Sequence, residues 1–320
     1  MTSPVPGAAA LAAVQNAARV RAAAAQTHQS GVSSSADTVQ QYVLTISCPD
    51  RPGIVARVTR MLYEGGANIE ESQQFDDRLT GHFFMRIHFS DTEGATIEQW
   101  REQMRPIAAE FGMSWEMWLA TNPYRTLIMV SKAGHCLNDL LFRWQSGALN
   151  MTIPAIVSNH NDLEPLARAY GVPFHHIPIT PETKAEAEAQ LMRLVDEHGI
   201  HLVVLARYMQ VLSDDLCRHM SGRIINIHHS FLPSFKGGRP YHQAFERGVK
   251  LVGATAHYVT ADLDEGPIIE QDVTRVDHRM GPLDLVRAGQ DVEADVLSRA
   301  VKWHCESRVL LNTDRTVVFS

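Results

Sequence analysis

The sequence has few cysteines and no close pair of them. Its 320 residues contain four, at Cys48, Cys136, Cys217 and Cys305, and no CxxC spacing occurs. A disulfide framework or a cysteine-based zinc site needs paired or closely spaced cysteines. We therefore expect four reduced thiols, in a cytoplasmic protein.

Long apolar runs and an excess of positive charge are also missing. No stretch approaches the roughly 20 apolar residues that span a bilayer. Lys and Arg total 29 against 36 Asp and Glu, which gives a net charge of −7, whereas nucleic-acid binders usually carry a surplus of Lys and Arg. The composition therefore predicts no membrane partner and no nucleic-acid partner. With 45% hydrophobic and 20% charged residues, it fits a globular chain of about two domains.

Several catalytic signatures are absent. The sequence has no GxxxxGK[ST] phosphate loop, no GxGxxG after the first predicted strand of the second domain, no GxSxG elbow and no HExxH. Nucleotide hydrolysis, dinucleotide redox chemistry and serine acyl-enzyme chemistry therefore lose support. The 16 histidines leave a metal site open, but adjacent pairs such as His228-His229 seldom bind one ion. We expect no metal.

Residues 1–38 have a composition of their own. The first 36 residues contain 12 Ala, two Arg and no acidic residue, and end near a run of serines. A transit peptide also lacks acids but is usually richer in Arg. The composition predicts a disordered extension, to which we assign no function.

A first domain is predicted over residues 39–121. Residues 42–47 alternate like a strand, Pro49 to Gly53 form a turn, and apolar residues then recur at helical spacing up to Gly65. Further elements are predicted at 69–75 (strand), 82–89 (strand), 97–111 (helix) and 113–119 (strand). The order βαββαβ is that of a ferredoxin-like unit.

A second domain is predicted over residues 122–320. Strands are predicted at 126–130, 153–158, 202–205, 224–228 and 255–260, and helices at 135–144, 163–170, 182–198 and 283–305. The continuous apolar run at 202–205 is typical of a parallel strand covered on both faces. This is the pattern of a doubly wound, Rossmann-like α/β domain, which binds ligands at the carboxyl ends of its strands.

Two polar segments are candidates for chemistry. In the strand at 224–228, the period of two places Asn226 and His228 on one face. An amide and an imidazole there could polarise a carbonyl group, although they could equally cap the strand. His257 lies in the next strand and precedes an acidic loop. A carboxylate of that loop could act as a general base with a pKa raised towards neutrality, but spacing alone does not distinguish this from a solvated loop and a packed strand histidine.

Separated motifs resemble the formyltransferases that use 10-formyltetrahydrofolate. They are Asn226-Ile-His228, Leu232-Pro233-Ser234-Phe235, Gly253-x-Thr255-x-His257 and Leu263-Asp264-x-Gly266-Pro267, and the similarity extends over residues 125 to 300. The resemblance implies a catalytic trio of Asn226, His228 and Asp264, supported by His257. It also implies that folate, as substrate and not cofactor, lies against Met209, Val211, Leu212, Ala261, Asp262, Leu263 and Gly266.

The first domain resembles the ACT family of amino-acid-sensing modules. The residues that carry the resemblance are Asp50-Arg51-Pro52-Gly53-Ile54-Val55, at the start of the first helix. The resemblance implies an effector site at Asp50, Gly53 and Ile54, where helix amides can receive a carboxylate. It also implies an amino-acid effector, with methionine and glycine as candidates, and a homo-oligomer, because ACT modules often pair edge to edge.

ACT followed by a formyltransferase-like domain is similar to the layout of the formyltetrahydrofolate deformylase family. Two motifs agree with it, Ser131-Lys132-x-x-His135-Cys136-Leu137 and Gly237-x-x-Pro240-Tyr241-His242-Gln243-Ala244, and they imply supporting roles for Lys132 and His135. Glycinamide ribonucleotide transformylase has a glycine-rich phosphate loop where this chain has residues 132–136. The lack of that glycine-rich loop in this chain implies that water is the formyl acceptor. A formyltransferase with an amine acceptor and a catalytically silent amino-acid sensor remain alternatives. A tRNA formyltransferase would need a further basic domain.

Overall fold

The structure is a computed structural model that describes residues 39–230 and 240–320. The predicted extension over residues 1–38 and the motif Leu232-Pro233-Ser234-Phe235 lie outside the described residues, as does Gly237. Residues 40–320 belong to one compact unit, which contains two large sheets.

The first sheet has four antiparallel strands with two helices on one face. The elements are β1 (Gln40–Pro49), α1 (Ile54–Glu64), β2 (Ala67–Asp77), β3 (His82–Asp91), α2 (Ile97–Phe111) and β4 (Ser114–Leu119), and the strand order is β2-β3-β1-β4. The predicted βαββαβ order is confirmed. Alternate residues of β1, such as Tyr42, Leu44 and Ile46, are buried against Trp100 and other residues of the helices. The side chains between them face the opposite side of the sheet.

Local sequence signals fix the ends of the helices in this domain. Thr96 and Gln99 form a capping box at the start of α2, and Gly112 ends it with φ of 64°, a left-handed conformation that glycine adopts without steric cost. Gly53 precedes α1 with φ of 100°. The predicted proline turn and helix start are therefore confirmed.

The second sheet is mixed, not wholly parallel. Its strands are β5 (Tyr124–Val130), β6 (Met151–Ser158), β7 (Phe174–His176), β8 (Leu202–Leu205), β9 (Ile224–His228), β10 (Leu251–Tyr258) and β11 (Ile268–Arg275), in the order β11-β10-β9-β8-β5-β6-β7. The five strands from β7 to β9 are parallel, but β10 is antiparallel to both β9 and β11. The strand predicted at 255–260, whose direction was left open, belongs to β10.

Helices cover both faces of this sheet. They are α3 (His135–Gln145), α4 (Glu164–Ala169), α5 (Lys184–Glu197), α6 (Asp214–His219), α7 (Pro240–Glu246) and α8 (Pro282–Cys305). On one face, Ile225, Ile227 and Ala256 pack into a core with α3 and α8. On the other face, Val203 and Leu205 pack with α5. The doubly wound architecture is confirmed.

A C-terminal hairpin joins the two sheets. Its strands are β12 (Val309–Asn312) and β13 (Arg315–Val318), neither of which was predicted. Leu310 and Phe319 bury Phe84 of β3, and Asn312 Nδ2 donates to Asp77 Oδ2 at 2.7 Å. Arg308 binds Glu71 of β2 with a distance of 3.2 Å. The hairpin region therefore fixes the first sheet against the second by both apolar and charged contacts.

All four cysteines are buried and free of disulfides, as predicted. Over the two described ranges, no helix has the length and apolar character needed to cross a membrane.

Candidate active site

The antiparallel pairing of β9 and β10 brings four polar side chains to one face of the sheet. Asn226 pairs with His257, and His228 pairs with Thr255. Directly opposed residues of neighbouring strands point to the same side. The Nδ2 atom of Asn226 lies 3.2 Å from Nε2 of His257. The expected common face for Asn226 and His228 is therefore present, and His257 belongs to it as well.

The tautomer of His257 follows from its second contact. Its Nδ1 lies 2.9 Å from the backbone carbonyl of Tyr258, and a carbonyl oxygen only accepts, so Nδ1 carries a proton. In the neutral ring Nε2 is then an acceptor for the amide of Asn226. This bond fixes which end of the Asn226 side chain is the NH₂ group, and leaves its second N–H to donate elsewhere.

The loop after β10 returns over this face and delivers Asp264. Its Oδ2 lies 3.2 Å from His228 Nδ1, and its Oδ1 lies 3.6 Å from His257 Nε2. The three residues of the predicted trio therefore converge. Asp264 has φ of 58°, an uncommon left-handed conformation that Asp tolerates better than most residues, and such strain is often found at functional sites.

One glycine holds this loop against the strand. A Cβ on Gly266 would lie 1.8 Å from the backbone oxygen of Tyr258, a distance at which real atoms overlap. Only glycine allows the approach. Gly266 therefore sets where the loop turns back, two residues after Asp264.

The hydrogen bond from His228, together with the nearby ring of His257, holds the pKa of Asp264 well below its usual range and outweighs its partial burial. The expectation that a carboxylate of this loop has a raised pKa is therefore wrong. An imidazole that donates to the carboxylate, with a second imidazole 3.6 Å away, stabilises its charged form more than burial destabilises it. Asp264 is an anion throughout the physiological pH range.

A second polar cluster lies beside the trio. The rings of His228 and His229 stack with centroids 5.0 Å apart, and burial, with the charges of Arg207 and His228, lowers the pKa of His229 to about 4. His229 is therefore neutral at pH 7. His229 is close enough to feel the charges of both Asp264 in the trio and a buried carboxylate, Glu293 of α8.

Glu293 is the centre of this cluster and is only 1% exposed. It accepts from His135 Nε2 at 2.7 Å and from Tyr241 Oη at 2.6 Å, and Arg207 Nε lies 3.4 Å away. Burial alone would raise its pKa, but the bond from His135, the charge of Arg207 and the bond from Tyr241 together lower it. His135 thus binds Glu293 and not the trio, while Lys132 is exposed.

One ligand atom each from His135, Cys136 and Glu293 lies within 4.8 Å of the others. As a donor set for a metal ion it is poor. Burial raises the pKa of the Cys136 thiol well above its usual value, so the thiolate that would bind a metal is disfavoured. The guanidinium of Arg207 already lies beside the carboxylate of Glu293.

The residues predicted to contact folate fall into two groups. Met209, Val211 and Leu263 are exposed by 61%, 55% and 66%, which leaves these large apolar side chains available to a ligand. Ala261 and Asp262 are also exposed. Leu212 is buried and lines a cavity of only about 10 Å³ with Val211. Leu212 and the buried Gly266 therefore offer little side-chain contact.

The residues predicted to bind the effector also include both exposed and buried ones. Asp50 and Gly53 are exposed, but the side chain of Ile54 is 2% exposed and belongs to the core, so Ile54 has only its backbone to offer. The backbone N–H of Asp50 already donates to Gly81. Arg51 lies over the ring of Phe111 at 4.2 Å and so ties the turn to α2.

Comparison with known proteins agrees with this fold. Residues 124–301 match the formyl transferase family and residues 42–102 match the ACT domain family. The chain is thus an ACT-linked protein of the formyl transferase family. A formyltetrahydrofolate deformylase of Corynebacterium sp. (strain P-1) is 53% identical over 87% of this chain and 98% of its own length. The chain belongs to the formyltetrahydrofolate deformylase family.

Solved structures separate two branches of the fold. The crystal structure of formyltetrahydrofolate deformylase from Burkholderia mallei superposes with a TM-score of 0.85 at 53% identity and covers 88% of this chain and 100% of that one. Glycinamide ribonucleotide transformylase 1 from Symbiobacterium toebii gives a TM-score of 0.58 at 30% identity, over 63% of this chain and 97% of that one. The expected family resemblances are confirmed.

Proposed function

We propose that this protein hydrolyses 10-formyltetrahydrofolate to tetrahydrofolate and formate. The observation that carries the proposal is the convergence of an amide, an imidazole and an ionised carboxylate on one half-buried face. Such a set can polarise a carbonyl group and hold a water molecule beside it. Membership of the deformylase family supports this substrate.

Asn226 and His228 activate the formyl group in this proposal. The second N–H of Asn226 donates to the formyl oxygen, because the first is held by His257. An imidazolium on His228 donates from Nδ1 to Asp264 and from Nε2 to the same oxygen. Both donors strengthen as the oxygen becomes negative in the tetrahedral intermediate, which is how an oxyanion site lowers a barrier.

Asp264 acts on the water. Its carboxylate accepts a hydrogen bond from the water and orients the oxygen towards the formyl carbon. Because its pKa is low, it is a weak base and takes the proton only as the new C–O bond forms. The C–N bond then breaks, a proton passes to N10 of the leaving tetrahydrofolate, by way of His228, and formate is released. Each water gives one hydrogen to N10 and its oxygen to formate, and its second hydrogen is released as a proton when formic acid ionises.

The region of residues 132–136 favours water over a larger acceptor. His135 begins α3 and its ring is held by Glu293, and a Cβ on Gly134 would lie 2.8 Å from Leu163. The segment is thus packed in place and offers one helix start instead of a glycine-rich loop of free amides. Folate binds against Met209, Val211 and Leu263 on the exposed side.

Control by an amino acid belongs to the same proposal. The ACT domain suggests an amino-acid ligand, and methionine and glycine are the first candidates at the turn of Asp50 and Gly53. Pairing of ACT domains from two copies of the chain would make a homo-oligomer.

The decisive assay measures formate released from 10-formyltetrahydrofolate without an acceptor. Stoichiometric formate and tetrahydrofolate support hydrolysis. Formate or formyl transfer that depends on added glycinamide ribonucleotide supports the transferase instead. No turnover in either case, by a folded protein, supports the silent sensor.

A further inference from the structure

Residues 207–209 follow β8 and send their three side chains in three directions. Arg207 points to Glu293 of α8, with its Nε 3.4 Å from Oε2 of the carboxylate. Tyr208 is buried in the core that contains α5. Met209 is exposed and is one of the residues that folate contacts in the proposed function. The course of this segment therefore decides where part of the folate surface lies.

Arg207 adopts a backbone conformation that an arginine rarely takes. Its φ is 63°, in the left-handed region, where the Cβ is crowded against the following carbonyl oxygen. Such a conformation persists only where the surrounding contacts over-determine it, and it is found most often at functional sites. The ladder between β5 and β8 extends to the N–H of Ala206, which donates to the carbonyl of Met129 at 2.8 Å. Side chains hold the residues beyond it.

Ser131 supplies the first of these side-chain contacts. It directly follows β5 and is buried. Its Oγ accepts from the backbone N–H of Met209 at 3.0 Å and donates to Oδ1 of Asn159 at 2.7 Å. Asn159 is also buried and directly follows β6. Because a hydroxyl has one proton and Asn159 takes it, a lone pair of Ser131 is aimed at Met209. One hydroxyl thus ties together the chain after three neighbouring strands.

This hydroxyl bridge lies where the strand order of the sheet reverses. From β5 the chain continues to β6 on one side, and it later reaches β8 on the other side. The carboxyl edge beside β5 is therefore the topological switch point of the sheet. In open α/β sheets, ligands bind in the crevice at this point. A buried hydroxyl that spans the crevice fixes the position of one wall of the site.

His135 supplies the second contact, from the other end of the motif Ser131-Lys132-x-x-His135. Its Nε2 lies 2.7 Å from Oε2 of Glu293, the same oxygen that faces Arg207. A carboxylate that is 1% exposed needs partners for its charge, and the ring of His135 holds it towards Arg207. The two ends of one motif therefore hold the same segment. Ser131 holds its backbone, and His135 holds its side chain through Glu293.

We propose that Ser131 and His135 are positioning residues for the substrate, which hold residues 207–209 in the left-handed course that presents Met209 to folate. Asn159 shares this role because it orients the hydroxyl of Ser131. Neither end of the motif is placed at the formyl group, so both act on substrate binding and not on the chemical step. The identity of the ligand as a folate rests on the proposed function.

Steady-state formate release tests this role. Ser131→Ala should raise KM for 10-formyltetrahydrofolate by about tenfold, or about 1.4 kcal/mol, as expected for one lost hydrogen bond. Its kcat should stay within about twofold of the wild type, because a change in KM alone indicates lost binding. Ser90→Ala is the matched control, since Ser90 is equally buried but lies in the first sheet, and it should keep both constants. An unchanged KM in Ser131→Ala overturns the proposal, as does a fall in kcat of about tenfold or more.

Two pairs of variants separate the hydrogen bonds from the size of the side chains. Asn159→Asp keeps the acceptor oxygen, and His135→Gln keeps a donor that can reach Glu293. Both should stay within about threefold of the wild-type KM. Asn159→Leu and His135→Phe keep the approximate shape without the bond, and should raise KM by about tenfold. Equal KM values within each pair would mean that packing, and not the hydrogen bonds, holds the segment. Circular dichroism shows whether each variant is folded.

Amide hydrogen exchange measures the position of the segment without any need for catalysis. In Ser131→Ala, a peptide that covers residues 206–212 should exchange faster by about tenfold, because the N–H of Met209 has lost its acceptor. Peptides from β1 and β3 should exchange as in the wild type. Equal exchange at residues 206–212 overturns the proposal, and so does a similar increase in every peptide, which would indicate general destabilisation.

Calorimetry with tetrahydrofolate as the probe separates this proposal from the hydrolase. Binding to Ser131→Ala should be about tenfold weaker than to the wild type, and binding to Ser90→Ala should be unchanged. If the wild type binds tetrahydrofolate but releases no formate, the hydrolase proposal alone fails, and the loss of affinity in Ser131→Ala still supports the positioning role. If the wild type does not bind tetrahydrofolate up to about 1 mM, roughly −4 kcal/mol, the positioning role is overturned.

Discussion

Replacement of Asp264 by asparagine is the sharpest test of the site. Asparagine has nearly the same shape and tolerates the left-handed backbone that position 264 requires, so the loop can keep its course. The change removes only the charge. His228 loses the anion at 3.2 Å, and the water loses the acceptor that orients it. We expect kcat to fall by roughly 10²–10⁴-fold, the usual loss for a positioned acid or base.

The cost in stability should be small by comparison. The low pKa of Asp264 means that its charged form is favoured by folding, which stabilises the protein above the pKa of an unfolded Asp, near 3.9. This contribution is lost as the pH falls through the lower, folded-state pKa. The Asp264→Asn variant lacks this contribution to stability at every pH. Because the side chain is 27% exposed, we expect a loss of only about 1–2 kcal/mol, measured by urea unfolding at pH 7.

Glu265→Gln is the matched control, because Glu265 is an exposed neighbour on the same loop with the same change of charge. It should keep near-normal formate release. If Asp264→Asn kept more than about a tenth of wild-type kcat while folded, an effect below the range for a catalytic base, the role given to Asp264 would be wrong. If both variants lost activity equally, the loop would matter through its charge in general.

Three further predictions each change a single residue. Asn226→Ala should lower kcat by roughly 10²–10³-fold, as expected for loss of an oxyanion donor, and a rate near wild type would exclude that role. Gly266→Ala must displace the loop, because its Cβ would meet Tyr258; kcat should fall with little change in far-ultraviolet circular dichroism, and an unaffected kcat would mean that the turn is not needed. Burial and Arg223 lower the pKa of His304 to about 4, against about 6.5 when unfolded, so the unfolded state binds the proton first and stability falls by up to roughly 3 kcal/mol as the pH drops between these values. His304→Gln should flatten that fall in urea titrations, and equal slopes for both proteins would contradict the assignment.

Much of the architecture follows from local patterns in the sequence. The apolar run Leu202–Leu205 has no polar position, which is typical of a strand covered on both sides, and it forms β8, which is parallel to both its neighbours β5 and β9. The helix starts at Thr96 and Gly53 also follow from capping and turn residues. These signals depend only on neighbouring residues, so the elements they mark can be predicted from the sequence.

The missed strands have a common reason. In β11 and the C-terminal hairpin, exposed and partly buried residues predominate, so the apolar periodicity that identifies a strand is weak. Their partners are also distant or antiparallel. Leu310 is buried by Phe84, more than two hundred residues earlier, and no local pattern indicates such a contact.

The site shows the same division. Asn226 and His228 share a face because of strand periodicity alone, and this was predictable. The cluster around Glu293 was not, because a glutamate in the middle of a long helix is usually solvated. Its burial depends on His135, Arg207 and Tyr241 arriving from other elements. The burial of such a carboxylate can be predicted from the sequence only where its partners are already known.

The direction of β10 accounts for the low pKa of Asp264. A parallel strand would have ended beside His228 and left its loop at the carboxyl edge, where one imidazole at most could reach a loop carboxylate. Because β10 is antiparallel, it ends at the amino edge of the sheet, and its loop must return across the face, past His257, to reach His228. The carboxylate therefore lies beside two imidazoles, and its pKa falls. The same reversal places Tyr258 at the amino edge, where its backbone oxygen accepts from His257 and lies against Gly266.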